Sequence, residues 1–291
     1  MDSSKIKMMI DRFRILIIGR ANAGKTTILQ RVCNTKENPE IYNSAGEKID
    51  AAVLTASRER GEHDIENEMV FQTNPGFIFH DSRGFEAGGE SEYDKMNKFI
   101  ADRSKEANMK DRIHAIWYCI PMDQASRCFT EAETKFFSRC DTGSIPVIVL
   151  FTKFDALYAN EFTRLTESGM SRKDAKQLAP KGAEESFANG PQVKLLYDPK
   201  TIRRPPKCHV FLPNMNKDDA DCGPLIERTA GTLDDGVLQQ IFVSTQQTNL
   251  ELCMKYAVEK TLAELVAPDE KTSSKDAISQ LGDWFPHIWV R

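Results

Sequence analysis

The sequence predicts a three-layer α/β fold, in which a doubly wound, mostly parallel sheet with one antiparallel strand pair lies between helices. Two observations support this prediction. Short apolar runs rich in β-branched and aromatic residues alternate along the chain with helical segments, which is the order typical of parallel β–α units. The turn-like sequence Thr73-Asn74-Pro75 joins two consecutive apolar runs and predicts a hairpin, which supplies the antiparallel pair.

Six apolar runs are the predicted strands: residues 14–18, 65–72, 76–80, 115–120, 145–151 and 208–212. Five segments between and after them are the predicted helices: residues 25–33, 93–105, 130–139, 156–166 and a long one near 237–265. Two polar stretches, 34–64 and 166–206, lack clear periodicity and are interpreted as long loops. Loops of that length in a compact domain are usually functional or disordered, so both are candidate functional regions.

The composition narrows the possible functions. The chain has 291 residues, of which 40% are hydrophobic and 28% charged, values typical of a soluble globular protein with a sizeable core. Its net charge of −4 argues against broad binding to nucleic acid, and no nucleic-acid partner is expected. The seven cysteines form no C-x-x-C pair, which predicts reduced thiols and a cytoplasmic location.

Membrane contact is not expected either. The apolar runs are far shorter than a membrane span, and the N-terminal segment lacks the uncharged apolar stretch of a signal peptide. The C-terminal segment 266–291 contains Trp284, Phe285 and Trp289 but few basic residues, and Pro286 interrupts it. We therefore expect these aromatic side chains to pack on the domain or against a partner.

A phosphate-binding loop follows the first predicted strand. The eight residues Gly19-Arg20-Ala21-Asn22-Ala23-Gly24-Lys25-Thr26 have the pattern G-x-x-x-x-G-K-T. Glycines let successive backbone N–H groups point at phosphates, and the helix that follows adds its positive end. Lys25 is predicted to neutralise the β- and γ-phosphates, and the Thr26 hydroxyl to bind Mg²⁺. The predicted nucleotide contacts in this loop are Arg20, Ala21, Asn22, Ala23, Gly24, Lys25, Thr26 and Thr27.

A second motif ends the third predicted strand. Asp81-Ser82-Arg83-Gly84 reads D-x-x-G, in which Asp81 is predicted to hold Mg²⁺ through water and Gly84 to bring its N–H to the γ-phosphate. A hydroxyl that senses the γ-phosphate and binds the metal should precede the second strand. Thr55 and Ser57 are both candidates, and Ser57 is the predicted metal ligand.

A third motif distinguishes guanine from adenine. Thr152-Lys153-Phe154-Asp155 follows an apolar strand and fits T-K-x-D, a variant of N-K-x-D. The Asp155 carboxylate is predicted to accept hydrogen bonds from guanine N1–H and the 2-amino group, a donor pair that adenine lacks. Thr152 and Lys153 complete the base site, and Asn214 is predicted to supply a backbone N–H after the last strand. An ATPase remains the alternative if Asp155 does not face the base.

These three motifs in this order resemble the P-loop GTPases of the translation-factor-related class. The phosphate loop resembles the G-R-x-N-x-G-K of the TrmE–Era group, and Asp81-Ser82-Arg83-Gly84-Phe85 is similar to the D-T-P-G-F of septins and immune-associated GTPases. The run Arg60-Gly61-Glu62-His63-Asp64-Ile65 resembles a fungal group of "G domain-containing" proteins. The resemblance implies a G domain over residues 1–265 with an enlarged switch region (34–64), an insertion (166–206) and a tail (266–291).

The resemblance also bears on hydrolysis. Phe85 stands where many small GTPases have a glutamine that orients water, so slow turnover is expected. In the TrmE–Era group the asparagine corresponding to Asn22 helps to bind K⁺ at the phosphates, which implies that Asn22 acts in catalysis. Lys25 is the second predicted catalytic residue, because it neutralises phosphate charge. Asn22 otherwise only shapes the loop.

Three arginines of the predicted switch loops are alternative catalytic groups. Arg58, Arg60 and Arg83 are each candidates for an arginine finger, in cis or across a dimer. The predicted function is a slow GTPase switch that uses GTP, Mg²⁺ and possible K⁺, with an unknown protein effector and a possible nucleotide-dependent homodimer. The alternative is a septin-like assembly module in which the nucleotide is mainly structural.

Overall fold

The computed structural model describes residues 12–50, 64–82, 90–127, 129–245, 251, 253–259 and 284. Within them lies a seven-stranded sheet with the strand order β2-β3-β4-β1-β5-β6-β7. The strands are β1 Phe13–Gly19, β2 Glu40–Tyr42, β3 Glu68–Phe71, β4 Asn74–Asp81, β5 Ala115–Pro121, β6 Val147–Thr152 and β7 Cys208–Leu212. The sequence therefore predicted all of these strands except β2.

Five neighbouring strands, β4, β1, β5, β6 and β7, are parallel. The predicted hairpin is present, because β3 runs antiparallel to β4, although the chain turns at Gln72 and Thr73 rather than at 73–75. The short β2 adds an antiparallel pairing on the other side of β3. It was missed because it has three residues, of which only Ile41 is buried.

Eight α-helices are described: α1 Lys25–Val32, α2 Glu90–Lys105, α3 Glu131–Arg139, α4 Tyr158–Glu167, α5 Arg172–Ala188, α6 Pro191–Leu196, α7 Gly223–Thr232 and α8 Gly236–Ser244. Short 3₁₀ segments lie at Met109–Asp111, Met122–Arg127 and Phe154–Leu157.

Side chains that alternate along each strand create a core on both faces of the sheet. Ile15 and Ile17 of β1 pack with α1, α7 and α8 on one face. Leu16 and Ile18 pack with α2, α3, α5 and α6 on the other face. The alternation follows from the period of two in an extended strand. The predicted three-layer α/β fold is confirmed. No helix in the described ranges combines the length and the apolar character that crossing a membrane requires.

The prediction of a long loop over 166–206 was wrong, because α5 and α6 occupy most of it. Helix α5 buries Ala175, Ala179, Ala183 and Phe187, one residue in four, and packs against α4. Three alanines give a narrow and weakly hydrophobic stripe among charged neighbours. The helical period was therefore too faint to detect in the sequence.

The predicted helix near 237–265 is shorter than expected. Helix α8 ends at Ser244, and residue 245 lies in a turn before helical residues recur at 251 and 253–259. The hydroxyl of Ser244 donates to the carbonyl of Ile241 at 3.0 Å, and that of Thr245 to the carbonyl of Phe242 at 2.7 Å. The carbonyl of Ile241 also accepts the helical bond from the N–H of Thr245, whereas the Thr245 hydroxyl satisfies the carbonyl of Phe242, the acceptor that the next helical N–H would use.

Candidate functional site

The predicted site residues converge at one edge of the sheet. The phosphate loop follows β1, Asp81 ends β4, Thr152 ends β6, and Asn214 follows β7. Because these four strands are parallel, their carboxyl ends lie on the same edge, which is where open α/β sheets bind ligands.

Two glycines shape the phosphate loop. Gly19 has φ +151°, and a Cβ there would lie 2.6 Å from the carbonyl oxygen of Cys119 on the adjacent strand β5. Gly24 has φ 82° and immediately precedes α1. Both conformations are rare for residues with a side chain. The two glycines of the motif are therefore required for backbone geometry at the ends of the loop.

Lys25 closes the loop from within. Its buried ammonium donates to the carbonyl of Gly19 at 2.9 Å and to that of Arg20 at 3.2 Å. The same ammonium lies 3.7 Å from a carboxylate oxygen of Asp81. The structure thus brings together the lysine and the aspartate that the sequence predicted for phosphate and metal binding.

The donor set at this edge suits Mg²⁺. Thr26 is exposed in the first turn of α1, directly after Lys25, and Asp81 ends the neighbouring strand β4. A hydroxyl and a carboxylate are the hard oxygen ligands that Mg²⁺ prefers, with phosphate oxygens and water filling its remaining positions. Thr26 and water held by Asp81 would hold the ion, which neutralises phosphate charge when bound.

The side chain of Arg20 has a structural partner. Its Nε donates to Glu133 in the first turn of α3 at 2.9 Å, and both side chains are buried. The other oxygen of Glu133 accepts from the N–H of Thr130 at 2.7 Å. The predicted role of Arg20 in nucleotide binding therefore rests on its backbone. Sequence reasoning missed Glu133, although the spacing T-x-x-E from Thr130 is a capping-box signal.

Asn22 lies at the exposed outer turn of the loop with φ 59°. Asparagine is one of the few residues that adopts this left-handed conformation readily. This conformation is compatible with the predicted K⁺ contact and with a purely shaping role.

The T-K-x-D motif is fixed to the phosphate loop. The buried hydroxyl of Thr152 donates to the carbonyl of Ala23 at 2.8 Å. Lys153 has φ 51° and its ammonium pairs with Asp123 at 2.7 Å. Because of the Thr152 contact, the end of β6 and the phosphate loop have one defined relative position.

The aspartate of the motif is held by the loop after β7. Oδ1 of Asp155 accepts from the backbone N–H of Asn214 at 2.7 Å. Phe154 is fully buried and stacks on Phe211 of β7, with ring centroids 4.3 Å apart. The residues that were predicted to contact the base from two separate segments are thus in direct contact with each other.

Some predicted residues lie outside the described residues. They are Ser57 and Gly84 among the assigned ligands, and Thr55, Arg58, Arg60, Arg83 and Phe85 among the other candidates. The assignments of the γ-phosphate contact and of the switch hydroxyl therefore stay predictions.

The buried histidine and cysteine beside the site keep their uncharged forms at neutral pH. Burial and the Arg14 guanidinium lower the pKa of His80 to about 3. One ring nitrogen of His80 lies 3.0 Å from the carbonyl of Ile65, which fixes the ring. Burial raises the pKa of the Cys119 thiol to about 12. At neutral pH His80 is therefore a neutral imidazole of low basicity, and Cys119 is a protonated thiol of low nucleophilicity.

Comparison with known proteins gives one family. Residues 14–153 match the family model described as "50S ribosome-binding GTPase". No curated protein matches the chain.

Solved structures show weaker similarity. The chain is similar to the septin GTPase domain from Chlamydomonas reinhardtii, with 13% identity and a TM-score of 0.32, over 53% of this chain and 59% of that one. It thus spans about three fifths of the septin chain. It is also similar to a GDP-bound mutant of the S. thermophilus FeoB G-domain, with 11% identity and a TM-score of 0.34, over 93% of this chain and 76% of that one.

Proposed function

We propose that this chain, whose residues 14–153 belong to the P-loop GTPase family, is a guanine-nucleotide switch with slow GTP hydrolysis that a cation or a partner accelerates. GTP and Mg²⁺ would order the switch region 34–64 and the segment after Asp81, and hydrolysis would release them. The G domain would extend over residues 1–265, with the insertion 166–206 and the tail 266–291 available to an effector or a second copy.

The contact between Asp155 and the N–H of Asn214 carries this proposal. A carboxylate has about four acceptor positions, and this bond uses one of them. The remaining acceptors are held at the same edge of the sheet as Lys25 and Asp81. A fixed carboxylate at that place selects guanine, because adenine would leave it without donors.

Hydrolysis would depend on charge stabilisation rather than on acid–base catalysis. Phosphoryl transfer to water rests mainly on positioning and on neutralising charge, and His80 is neutral and fixed in the core. Lys25 would neutralise the phosphates. Asn22 would hold K⁺ near the transferring phosphate, where a cation acts as an arginine finger does.

The experiment is GTP turnover by the purified chain in K⁺ and in Na⁺ buffer, over a range of protein concentrations. Faster turnover in K⁺ than in Na⁺ supports cation-assisted hydrolysis. Turnover per molecule that rises with protein concentration supports activation by a dimer. Turnover at background with nucleotide retained through purification would instead favour the assembly module. Absence of guanine-nucleotide binding would contradict the whole proposal.

Asn22→Gly is the matched variant for the cation. Glycine adopts the left-handed backbone at φ 59° readily, and the change removes the side chain with its amide. We expect this variant to bind GTP normally and to lose the K⁺ stimulation. Full K⁺ stimulation in the glycine variant would leave Asn22 with a shaping role alone.

A further inference from the structure

Helix α1 contacts both halves of the nucleotide site. It begins at Lys25, which lies in the phosphate loop, and Arg31 is in its last turn. The Arg31 guanidinium reaches the loop after β7, which carries Asn214. One rigid helix therefore connects the phosphate site with the loop that holds Asp155.

The Arg31 side chain donates hydrogen bonds to two successive backbone carbonyls. Its Nε donates to the carbonyl of Met215 at 3.1 Å, and its Nη2 lies 3.5 Å from the carbonyl of Asn216. Nη2 also lies 3.5 Å from Oδ1 of Asp218. The planar guanidinium presents its donors in a fixed fork, whereas a lysine offers a single point charge. Arg31 thus fixes the path of the loop backbone through directed hydrogen bonds, and does more than supply a positive charge beside it.

The loop that Arg31 holds is a tight turn with little room to adjust. Asn214 has φ 55°, and its carbonyl accepts from the N–H of Lys217 at 2.9 Å. The side chain of Met215 is buried, and its sulfur lies 3.9 Å from that of Cys222. A shift of the carbonyls of Met215 and Asn216 would therefore move the N–H of Asn214 that bonds Asp155.

We infer that Arg31 is a positioning residue for guanine recognition, acting through the loop that carries Asn214 to hold the Asp155 carboxylate in place. The inference rests on the proposed function, since it concerns the same base site. Arg31 itself would make no contact with the base. Its removal should weaken the bonds that Asp155 makes to guanine more than it weakens binding of the phosphates.

The test compares GDP with IDP, whose base lacks the 2-amino group. The ratio of the two dissociation constants reports how well Asp155 is oriented, because phosphate and ribose contacts are common to both nucleotides. In wild type we expect GDP to bind at least about tenfold more tightly, as one hydrogen bond to a charged group predicts. In Arg31→Met, which keeps the aliphatic stem and removes the donors, the ratio should fall at least about threefold, because IDP keeps only the N1–H donor and should lose less affinity than GDP.

Lys36→Met is the matched control. Lys36 pairs with the same Asp218 oxygen at 2.8 Å, but both side chains are about three quarters exposed, and such pairs contribute little. We expect the wild-type ratio in this variant. If Arg31→Met does not fold, Arg31→Lys replaces it, and its ratio should also fall because one ammonium does not reproduce the fork.

The outcomes separate the two proposals. A wild-type ratio near one, or no GDP binding at all, would overturn the guanine site and the inference with it. A wild-type preference for GDP that persists unchanged in folded Arg31→Met or Arg31→Lys would overturn the inference alone. Equal losses in the Arg31 variants and in Lys36→Met would also overturn it, since charge near Asp218 would then explain the effect.

Discussion

The Arg20 guanidinium and the Glu133 carboxylate form an ion pair of 2.9 Å in which both side chains are buried, although the residues are 113 positions apart. The pair joins the phosphate loop to the first turn of α3. Because Lys25 binds the carbonyls of the same loop, the loop is held both from within and from the neighbouring helix. This arrangement makes its conformation depend on α3.

Replacement of Glu133 by alanine should destabilise the protein strongly. The change leaves the buried Arg20 charge without this partner and removes the acceptor for the Thr130 N–H, and breaking such a pair costs about 3–5 kcal/mol. The measurement is urea unfolding. Glu131→Ala in the same turn, where the side chain is exposed, is the control and should change stability by less than about 1 kcal/mol. Similar losses in both variants would show that the ion pair is not the cause.

Gly19→Ala should impair nucleotide binding through the backbone. The added Cβ would lie 2.6 Å from the carbonyl oxygen of Cys119, so β1 and β5 must separate or the loop must move. Titration with GDP should show at least about a tenfold loss of affinity, which corresponds to about 1.4 kcal/mol.

Gly46→Ala separates this steric effect from backbone strain. Gly46 also has positive φ, +79°, but a Cβ there meets nothing within 4 Å. Backbone strain should lower the stability of this variant by about 1 kcal/mol, and its affinity for GDP should stay unchanged. Normal GDP affinity in Gly19→Ala would contradict the close contact with Cys119.

The sequence predicted the parts of the site that depend on local patterns. The phosphate loop, the D-x-x-G aspartate and the T-K-x-D motif each combine a buried strand with a fixed short spacing, and parallel pairing then brings the strand ends together. The contacts of Arg20 with Glu133 and of Arg31 with Met215 span 113 and 184 positions. Neither has a fixed spacing that a single sequence reveals, so these contacts became visible only in the folded chain.

Acid should destabilise the protein through its buried histidines. Burial lowers the pKa of His80 to about 3 and that of His114 to about 4, and it lowers the pKa of the half-buried His209 as well. Histidine in the unfolded chain has a pKa of about 6.5, so below that pH the unfolded state binds a proton that the folded state does not bind. The stabilisation that comes from keeping these histidines neutral is therefore fully present above pH 6.5 and decreases as the pH falls toward 4.

His114→Gln tests this linkage. Nδ1 of His114 accepts from the N–H of Arg14 at 2.9 Å, and Nε2 lies 2.9 Å from the carbonyl of Met109, so an amide can replace both contacts without titrating. Between pH 7 and pH 5, His80 and His114 should each lower the free energy of unfolding by about 2 kcal/mol, because only the unfolded state takes up their protons in this range. Urea unfolding at pH 7 and pH 5 measures the decrease in unfolding free energy between them. In His114→Gln this decrease should be about 2 kcal/mol smaller than in wild type. An unchanged loss would exclude His114 as its source.

Asp155→Asn should transfer the base preference from guanine to xanthine. Oδ1 of residue 155 would keep the bond from the N–H of Asn214, which turns the new NH₂ group toward the base. That group donates to the 2-oxo oxygen of xanthine but meets the N–H donors of guanine, so GTP should lose about ten- to a hundredfold in affinity while XTP gains. Competition between the two nucleotides measures the change. Asp141→Asn is the control, because Asp141 precedes β6, at the strand end opposite to Asp155, and pairs with Arg204 in an exposed salt bridge, so it should leave the preference for guanine intact. If Asp155→Asn retains that preference too, Asp155 does not contact the base.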